Sequence, residues 1–145
     1  MKTPLVRVQD VSFGYGHDLV LERVNLEVHR GEYLGLIGPN GSGKTTLLKL
    51  ILGTLGPVQQ GRIELFGVPL ASFRERWRIG YVAQKAASFN SSFPATVEEV
   101  VLTGRAPRRG LFRLYTQQDR EAVREALERV GLLSLKDRLV GRLSG

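Results

Sequence analysis

The sequence predicts an α/β fold, and three observations support this prediction. Apolar residues alternate with polar ones near the start of the chain, as in half-exposed strands. A short continuous apolar run follows at residues 33–37, and apolar stripes at helical spacing begin at Lys44 and again near residue 117. The chain has 145 residues, 42% of them hydrophobic and 24% charged. These are ordinary values for one folded domain.

Two antiparallel strands are predicted first. Apolar side chains alternate over residues 6–13, with a slip of one position between Val8 and Val11 that a β-bulge could absorb. The alternation resumes over residues 20–28. Residues 33–37 are typical of a strand buried on both faces of a parallel sheet. Further strands are predicted at 62–66 and 79–83, and a basic segment at 72–77 could be helical.

Three helices are predicted. The first starts at Lys44, is expected to be largely buried, and ends near Gly53. The spacing of Thr96 and Glu99, and of Thr116 and Asp119, is that of capping boxes, which open helices. The last helix carries an apolar stripe and is closed by Gly131; the stripe consists of Ala122, Val123, Ala126, Leu127 and Val130.

The absence of cysteine excludes disulfides, thiolate metal sites and cysteine nucleophiles. His17 and His29 are the only histidines, so an all-histidine metal site is excluded as well. No stretch approaches the roughly 18 apolar residues that span a bilayer, and residues 1–16 lack the apolar centre of a secretory signal. We therefore expect a cytoplasmic chain.

Residues 38–45 match G-x-x-x-x-G-K-[ST], placed after a predicted buried strand and at the start of a helix. In that setting the glycines let backbone N–H groups and the helix N-terminus face phosphates. Lys44 would reach the β- and γ-phosphates, and the Thr45 hydroxyl suits Mg²⁺. The predicted nucleotide-binding residues are Gly38, Pro39, Asn40, Gly41, Ser42, Gly43, Lys44, Thr45 and Thr46. A ligand-free glycine-rich turn is the alternative, and the strand–loop–helix setting disfavours it.

Guanine specificity is disfavoured because no Asn-Lys pair occurs in the chain. From about Val6 to its last residue the sequence resembles the nucleotide-binding subunit of an ABC transporter. Tyr15 lies where the family's aromatic residue stacks on adenine, and Gln84 matches the Q-loop. Leu143, Ser144 and Gly145 match the start of the Leu-Ser-Gly-Gly-Gln signature.

The resemblance implies ATP and Mg²⁺ as cofactors. Gln84 would approach Mg²⁺ and the attacking water, so Lys44 and Gln84 are the candidate catalytic residues, and Thr45 and Gln84 the candidate metal ligands. It also implies one incomplete ABC-type P-loop NTPase domain. Its parts would be a small antiparallel β part (1–31), a P-loop core with part of a parallel sheet (32–84), and part of a helical subdomain (85–145), ending within the signature.

The features that the family places after the signature are missing: the magnesium-binding aspartate, the catalytic glutamate, the D-loop and the switch histidine. No aspartate follows four consecutive apolar residues; the four are Asp10, Asp18, Asp119 and Asp137. We therefore expect an ABC-type ATPase by family whose 145-residue chain alone does not hydrolyse ATP. A non-catalytic nucleotide-binding fragment remains the alternative function.

Residues 81–105 look most like importers of divalent metals such as zinc and manganese, with iron-chelate importers as the nearest alternative. The implied partners are a transmembrane permease, a substrate-binding lipoprotein and a second copy in a head-to-tail homodimer, at the inner face of the cell membrane. The net charge of +7 leaves an ATPase that acts on nucleic acid or ribosomes as a third hypothesis. No aromatic platform or recognition helix supports it, so we expect no nucleic-acid partner.

Overall fold

A computed structural model of the chain describes residues 3–83, 94–109 and 114–143. The chain divides into two units, residues 1–74 and residues 75–145. Helices and strands are mixed, as the fold class requires. Within the described ranges, no helix is long and apolar enough to cross a membrane.

The first unit is built on a four-stranded antiparallel sheet. Its strands are β1 (Val6–Tyr15), β2 (Asp18–Val28), β3 (Gln60–Leu65) and β4 (Val68–Pro69), in the spatial order β2-β1-β3-β4. The two predicted N-terminal strands are confirmed, and the strand expected at 62–66 is β3.

The slip in the alternation of β1 is a β-bulge, as predicted. Val8 pairs with Leu26 but Val11 pairs with Val24, so β1 holds one extra residue between the two pairs. Asp10 lies in the bulge and has a positive φ of 50°, and Val8 and Val11 on either side both remain buried. On the other side of β1, Gly61 of β3 has φ 82° and lies so close to the backbone of the bulge that a side chain would collide with it.

Helix α1 (Lys44–Ile51) packs on this sheet. It buries Thr46, Leu47 and Leu50, whereas Leu48 is 40% exposed. The helix is therefore buried along one face, and the expectation that most of its circumference is buried was wrong. Apolar side chains of α1 and of the strands β1, β2 and β3 form one buried core. Its members are Val8, Val11, Phe13, Leu21, Leu47, Leu50 and Ile63.

The predicted strands at 33–37 and 79–83 are not found. Tyr33 and Ile37 are almost fully exposed, and Val82 is 87% exposed. An apolar run becomes a buried strand only where neighbouring strands supply backbone hydrogen bonds and cover both faces. Among the described residues, no strand pairs with either segment.

The second unit contains α2 (Val97–Thr103), α3 (Ala106–Arg109) and α4 (Gln117–Arg129), with short 3-10 helices at Arg76–Arg78, Leu133–Leu135 and Val140–Arg142. Both capping boxes are confirmed. Of the predicted stripe on α4, Val123 and Leu127 pack with Val97 in the core. Val130 is 65% exposed because it lies at the helix C-cap, where the backbone has left the helical conformation.

Asp119 is a buried carboxylate that ties the start of α4 to the chain after α2. It is 2% exposed. Its Oδ2 atom accepts hydrogen bonds from the backbone N–H (2.9 Å) and the hydroxyl (2.8 Å) of Thr116, and its Oδ1 atom lies 2.9 Å from Nε of Arg105. A buried carboxylate is stable only with such partners.

Candidate nucleotide-binding site

The glycine-rich loop leads directly into α1, and Gly43 anchors it to the sheet. Gly43 is the N-cap of α1 and has a φ of 84°. A Cβ atom at this position would lie 2.7 Å from Cδ2 of Leu21 and 3.1 Å from the carbonyl oxygen of Val20. Only glycine fits both the conformation and the space. The loop therefore has a fixed position on β2.

The N-terminus of α1 differs from those of α2 and α4. The other two helices begin with capping boxes that hold an acidic residue in the first turn. In α1 the cap is a glycine with no side-chain hydrogen bond, and the first turn contains no acidic residue. Within the part of the chain that the structure describes, no side chain thus neutralises its first N–H groups or the positive end of its dipole. This arrangement favours an anion.

The ammonium group of Lys44 lies across this loop. Nζ donates hydrogen bonds to the carbonyl oxygens of Gly38 (2.7 Å) and Pro39 (2.6 Å) and to the hydroxyl of Ser42 (3.2 Å). All three acceptors are uncharged. A phosphate oxygen would form a stronger, charge-assisted bond with the same group. The lysine is therefore already held among the residues that would surround a phosphate.

The two threonines after Lys44 face opposite environments. Thr46 is 9% exposed and packs into the first unit, whereas Thr45 is exposed. The Thr45 hydroxyl is thus the accessible oxygen of this turn. A single protein hydroxyl fits Mg²⁺, which commonly keeps water and substrate phosphates as its other ligands. Thr46 could reach a ligand only through its backbone N–H group.

Tyr15 lies at the end of β1, in the hairpin whose second strand contacts Gly43. It pairs with Asp18 across the turn. Its ring meets the buried ring of Phe13 edge-on, at 5.3 Å between centroids and 89° between planes, and the residue stays 50% exposed. One side of the phenol ring is thus supported by the core, and the rest is available for stacking.

The other predicted site residues lie elsewhere. Gln84, Ser144 and Gly145 fall outside the described residues. Leu143 belongs to the second unit, where it packs against the cluster of Val97, Val123 and Leu127. The structure therefore brings together the loop residues, with Tyr15 in the adjoining hairpin.

The sequence did not indicate two parts of this site: the contact between Gly43 and β2, and the bonds of Lys44 to the loop carbonyls. The first joins residues more than twenty positions apart and leaves no local pattern. The second depends on the path of the backbone. The only sequence feature that pointed to the close contact with β2 was the glycine directly before Lys44.

Comparison with known proteins assigns the family. The family model described as "ABC transporter" matches residues 21–145. The chain is 48% identical to the zinc uptake system ATP-binding protein ZurA of Listeria innocua, over 97% of this chain and 54% of that protein. It is 40% identical to the high-affinity zinc uptake system ATP-binding protein ZnuC of Bacillus subtilis, over 97% of this chain and 60% of that protein.

A solved structure agrees with this assignment. An ABC transporter in an inward-facing conformation, described as of metal-chelate type, superposes with a TM-score of 0.77 at 28% identity, covering 97% of this chain and 50% of that one. The chain thus spans about half the length of the proteins that it matches. Since the family model covers most of the sequence, this chain belongs to the ABC transporter family.

Proposed function

We propose that the chain binds Mg–ATP through residues 38–46 and serves as the ATP-binding subunit of an importer for divalent metal ions, zinc or manganese. The observation that carries the proposal is the first turn of α1. Among the described residues, no side chain caps this turn and it contains no acidic residue, while the Lys44 ammonium bonds to the carbonyls of the preceding loop. This combination favours a polyphosphate over a neutral or cationic ligand.

Each loop residue has a physical role in this proposal. Gly41 (φ 85°) and Gly43 (φ 84°) turn the backbone so that its N–H groups can face the phosphates. Lys44 exchanges neutral carbonyl partners for β- and γ-phosphate oxygens. Thr45 offers its hydroxyl to Mg²⁺, which when bound would neutralise phosphate charge. Tyr15 would stack on the adenine ring, and Gln84 would approach the metal and the attacking water.

We also propose that this 145-residue chain binds ATP without hydrolysing it at a meaningful rate. Hydrolysis needs a carboxylate that orients water and donors that stabilise charge on the γ-phosphoryl group. Within the described residues, the hydrogen-bond partners of Lys44 are neutral oxygens, and no group of three acidic or histidine side chains could hold a metal. Contacts that are equally strong in the ground state and in the transition state do not lower the activation barrier.

A phosphate-release assay tests whether the 145-residue chain only binds ATP or also hydrolyses it. The chain is assayed beside a longer protein that carries the family's later motifs, each with and without Lys44→Ala. We expect turnover only in the longer protein. Turnover of the 145-residue chain within tenfold of the longer protein, lost on Lys44→Ala, would show that the catalytic groups are already present.

The metal cargo is supported by the zinc uptake proteins that the sequence resembles over 97% of its length. Deletion of the gene should impair growth in metal-chelated medium, and added zinc or manganese should restore it. An iron chelate is the second candidate, because residues 81–105 also resemble iron-chelate importers and one structural match is described as a metal-chelate transporter. Rescue by an iron chelate alone would select that candidate and reject zinc and manganese.

The same proposal places the protein at the inner face of the membrane, bound to a permease and supplied by a metal-binding lipoprotein, with two copies head to tail around ATP. Leu143, Ser144 and Gly145 would then close over the nucleotide of the other copy. Co-purification of a tagged chain with a membrane permease supports this arrangement, and recovery of the chain without any membrane protein argues against it.

A further inference from the structure

The second unit contains a cavity of about 440 Å³, lined by residues of that unit alone. It lies among α4, the start of α2 and the segment after α4. Leu127 and Leu133 contribute apolar surface, while the charged side chains of Arg120, Arg124 and Lys136 contribute three positive groups. Two carboxylates, Glu98 and Glu121, also line it. The lining thus carries one more positive than negative charge.

The two carboxylates have other partners. Glu98 lies 3.8 Å from Nζ of Lys136, and Glu121 accepts a hydrogen bond from the side chain of Gln117 at 3.2 Å. Arg120 and Arg124 are four residues apart on α4 and therefore lie on the same face. Among the residues that the structure describes, no carboxylate forms an ion pair with either guanidinium.

Lys136, the third basic residue of the cavity, lies close to two carboxylates, Glu98 and Asp137. Its hydrogen bond to Asp137 (2.9 Å) and the charges of Asp137 and Glu98 raise its pKa above the ordinary value, and the charge of Arg124 has a smaller, opposite effect. Arg124 and Lys136 both contribute positive charge to the wall of the cavity, and only Lys136 is paired there with carboxylates among the described residues. An anion in the cavity would give Arg120 and Arg124 a charged partner.

We propose that this cavity binds a phosphate group in its dianionic form, clamped between Arg120 and Arg124 with Lys136 beside it. Two free guanidinium charges match a dianion, and the planar donor fork of arginine fits pairs of phosphate oxygens. A monocarboxylate carries one charge and two oxygens, so one arginine would satisfy it. The phosphate can be inorganic or belong to a small phosphate ester.

Binding would also affect the second unit mechanically. The backbone N–H of Glu98 already donates to the carbonyl oxygen of Lys136 at 2.9 Å, which joins α2 to this segment. A phosphate held by α4 and Lys136 would add α4 to the same junction. Since the ligand binds only the folded state, the second unit should become more stable as phosphate is added.

The test follows the side-chain Nε–Hε signals of the arginines by NMR during titration with inorganic phosphate, phosphoserine and acetate at equal ionic strength. All proteins carry Lys44→Ala, so that phosphate at the glycine-rich loop contributes little. Arg129 is the internal control because it lies on the same helix, pairs with Glu125 at 3.6 Å and does not line the cavity. The matched variants are Arg124→Gln and Arg129→Gln.

We expect saturable shifts at Arg120 and Arg124 with inorganic phosphate, and none at Arg129. Arg124→Gln should weaken binding about tenfold or more, because one charge-assisted contact is lost, whereas Arg129→Gln should leave it unchanged. Phosphoserine binding as tightly as inorganic phosphate would assign the cavity to phosphate esters, and weaker binding would assign it to the free ion. Equal shifts at all three arginines, equal binding of acetate, or unchanged affinity in Arg124→Gln would each overturn the proposal. None of these results bears on ATP binding at Lys44.

Discussion

Gly43→Ala should destabilise the first unit more than any substitution that only strains the backbone. The new Cβ would need a left-handed backbone, which costs a non-glycine residue about 1–2 kcal/mol. It would also lie 2.7 Å from Cδ2 of Leu21, which is 6% exposed and has little room to move. Overpacking of this kind typically costs about 1–3 kcal/mol. The two effects together predict a loss of about 2–5 kcal/mol.

Gly31→Ala is the matched control. Gly31 has a φ of 83°, and a Cβ there would meet nothing within 4 Å, so this variant reports the backbone strain alone. Hydrogen exchange of the β1 amides, such as those of Val11 and Phe13, measures the stability of the first unit directly. The difference between the two variants should be about 1–3 kcal/mol. If Gly43→Ala costs no more than Gly31→Ala, the contact between the loop and β2 is not what fixes the loop.

Three further results are expected in the second unit. Thr96→Ala removes an N-cap acceptor and should lower the stability measured by urea unfolding by about 1 kcal/mol; no change would mean that the cap is not formed in solution. The hydrogen bonds from Thr96 lower the pKa of Glu99, so its contribution is complete above the unfolded-state pKa and is lost as pH falls through the folded-state value. In Glu99→Gln the melting temperature should therefore fall less between pH 6 and pH 3 than in the wild type. The same fall in both proteins would contradict this. Asp119→Asn weakens the bonds from Thr116 and Arg105 and should cost about 1–3 kcal/mol in the same urea assay, and full stability would show that water replaces them.

Local patterns in the sequence predicted the local structure well. The slip between Val8 and Val11 predicted the bulge, and the spacing of Thr96 and Glu99 predicted a helix start, because both depend only on residues close in sequence. The glycine-rich loop was recognised in the same way, since its motif occupies eight consecutive positions ahead of α1.

Features that depend on distant partners were not predictable. Residues 33–37 have the composition of a buried strand, but composition does not provide the neighbouring strands that such a segment needs. The side chain of Leu21 excludes any residue but glycine at position 43, and no pattern links these two positions. No sequence pattern indicated a site at Arg120 and Arg124, because the cavity that they line also needs Lys136 from the segment after α4.

Calorimetric titration with Mg–ATP tests whether the loop before α1 binds the nucleotide through Lys44. Wild type is compared with Lys44→Ala and with Lys49→Ala, a control in the last turn of the same helix. Loss of one charge-assisted phosphate contact should weaken binding of Mg–ATP about ten- to a hundredfold in Lys44→Ala. Lys49→Ala should bind like wild type. Equal affinity of wild type and Lys44→Ala would contradict the assignment of this loop.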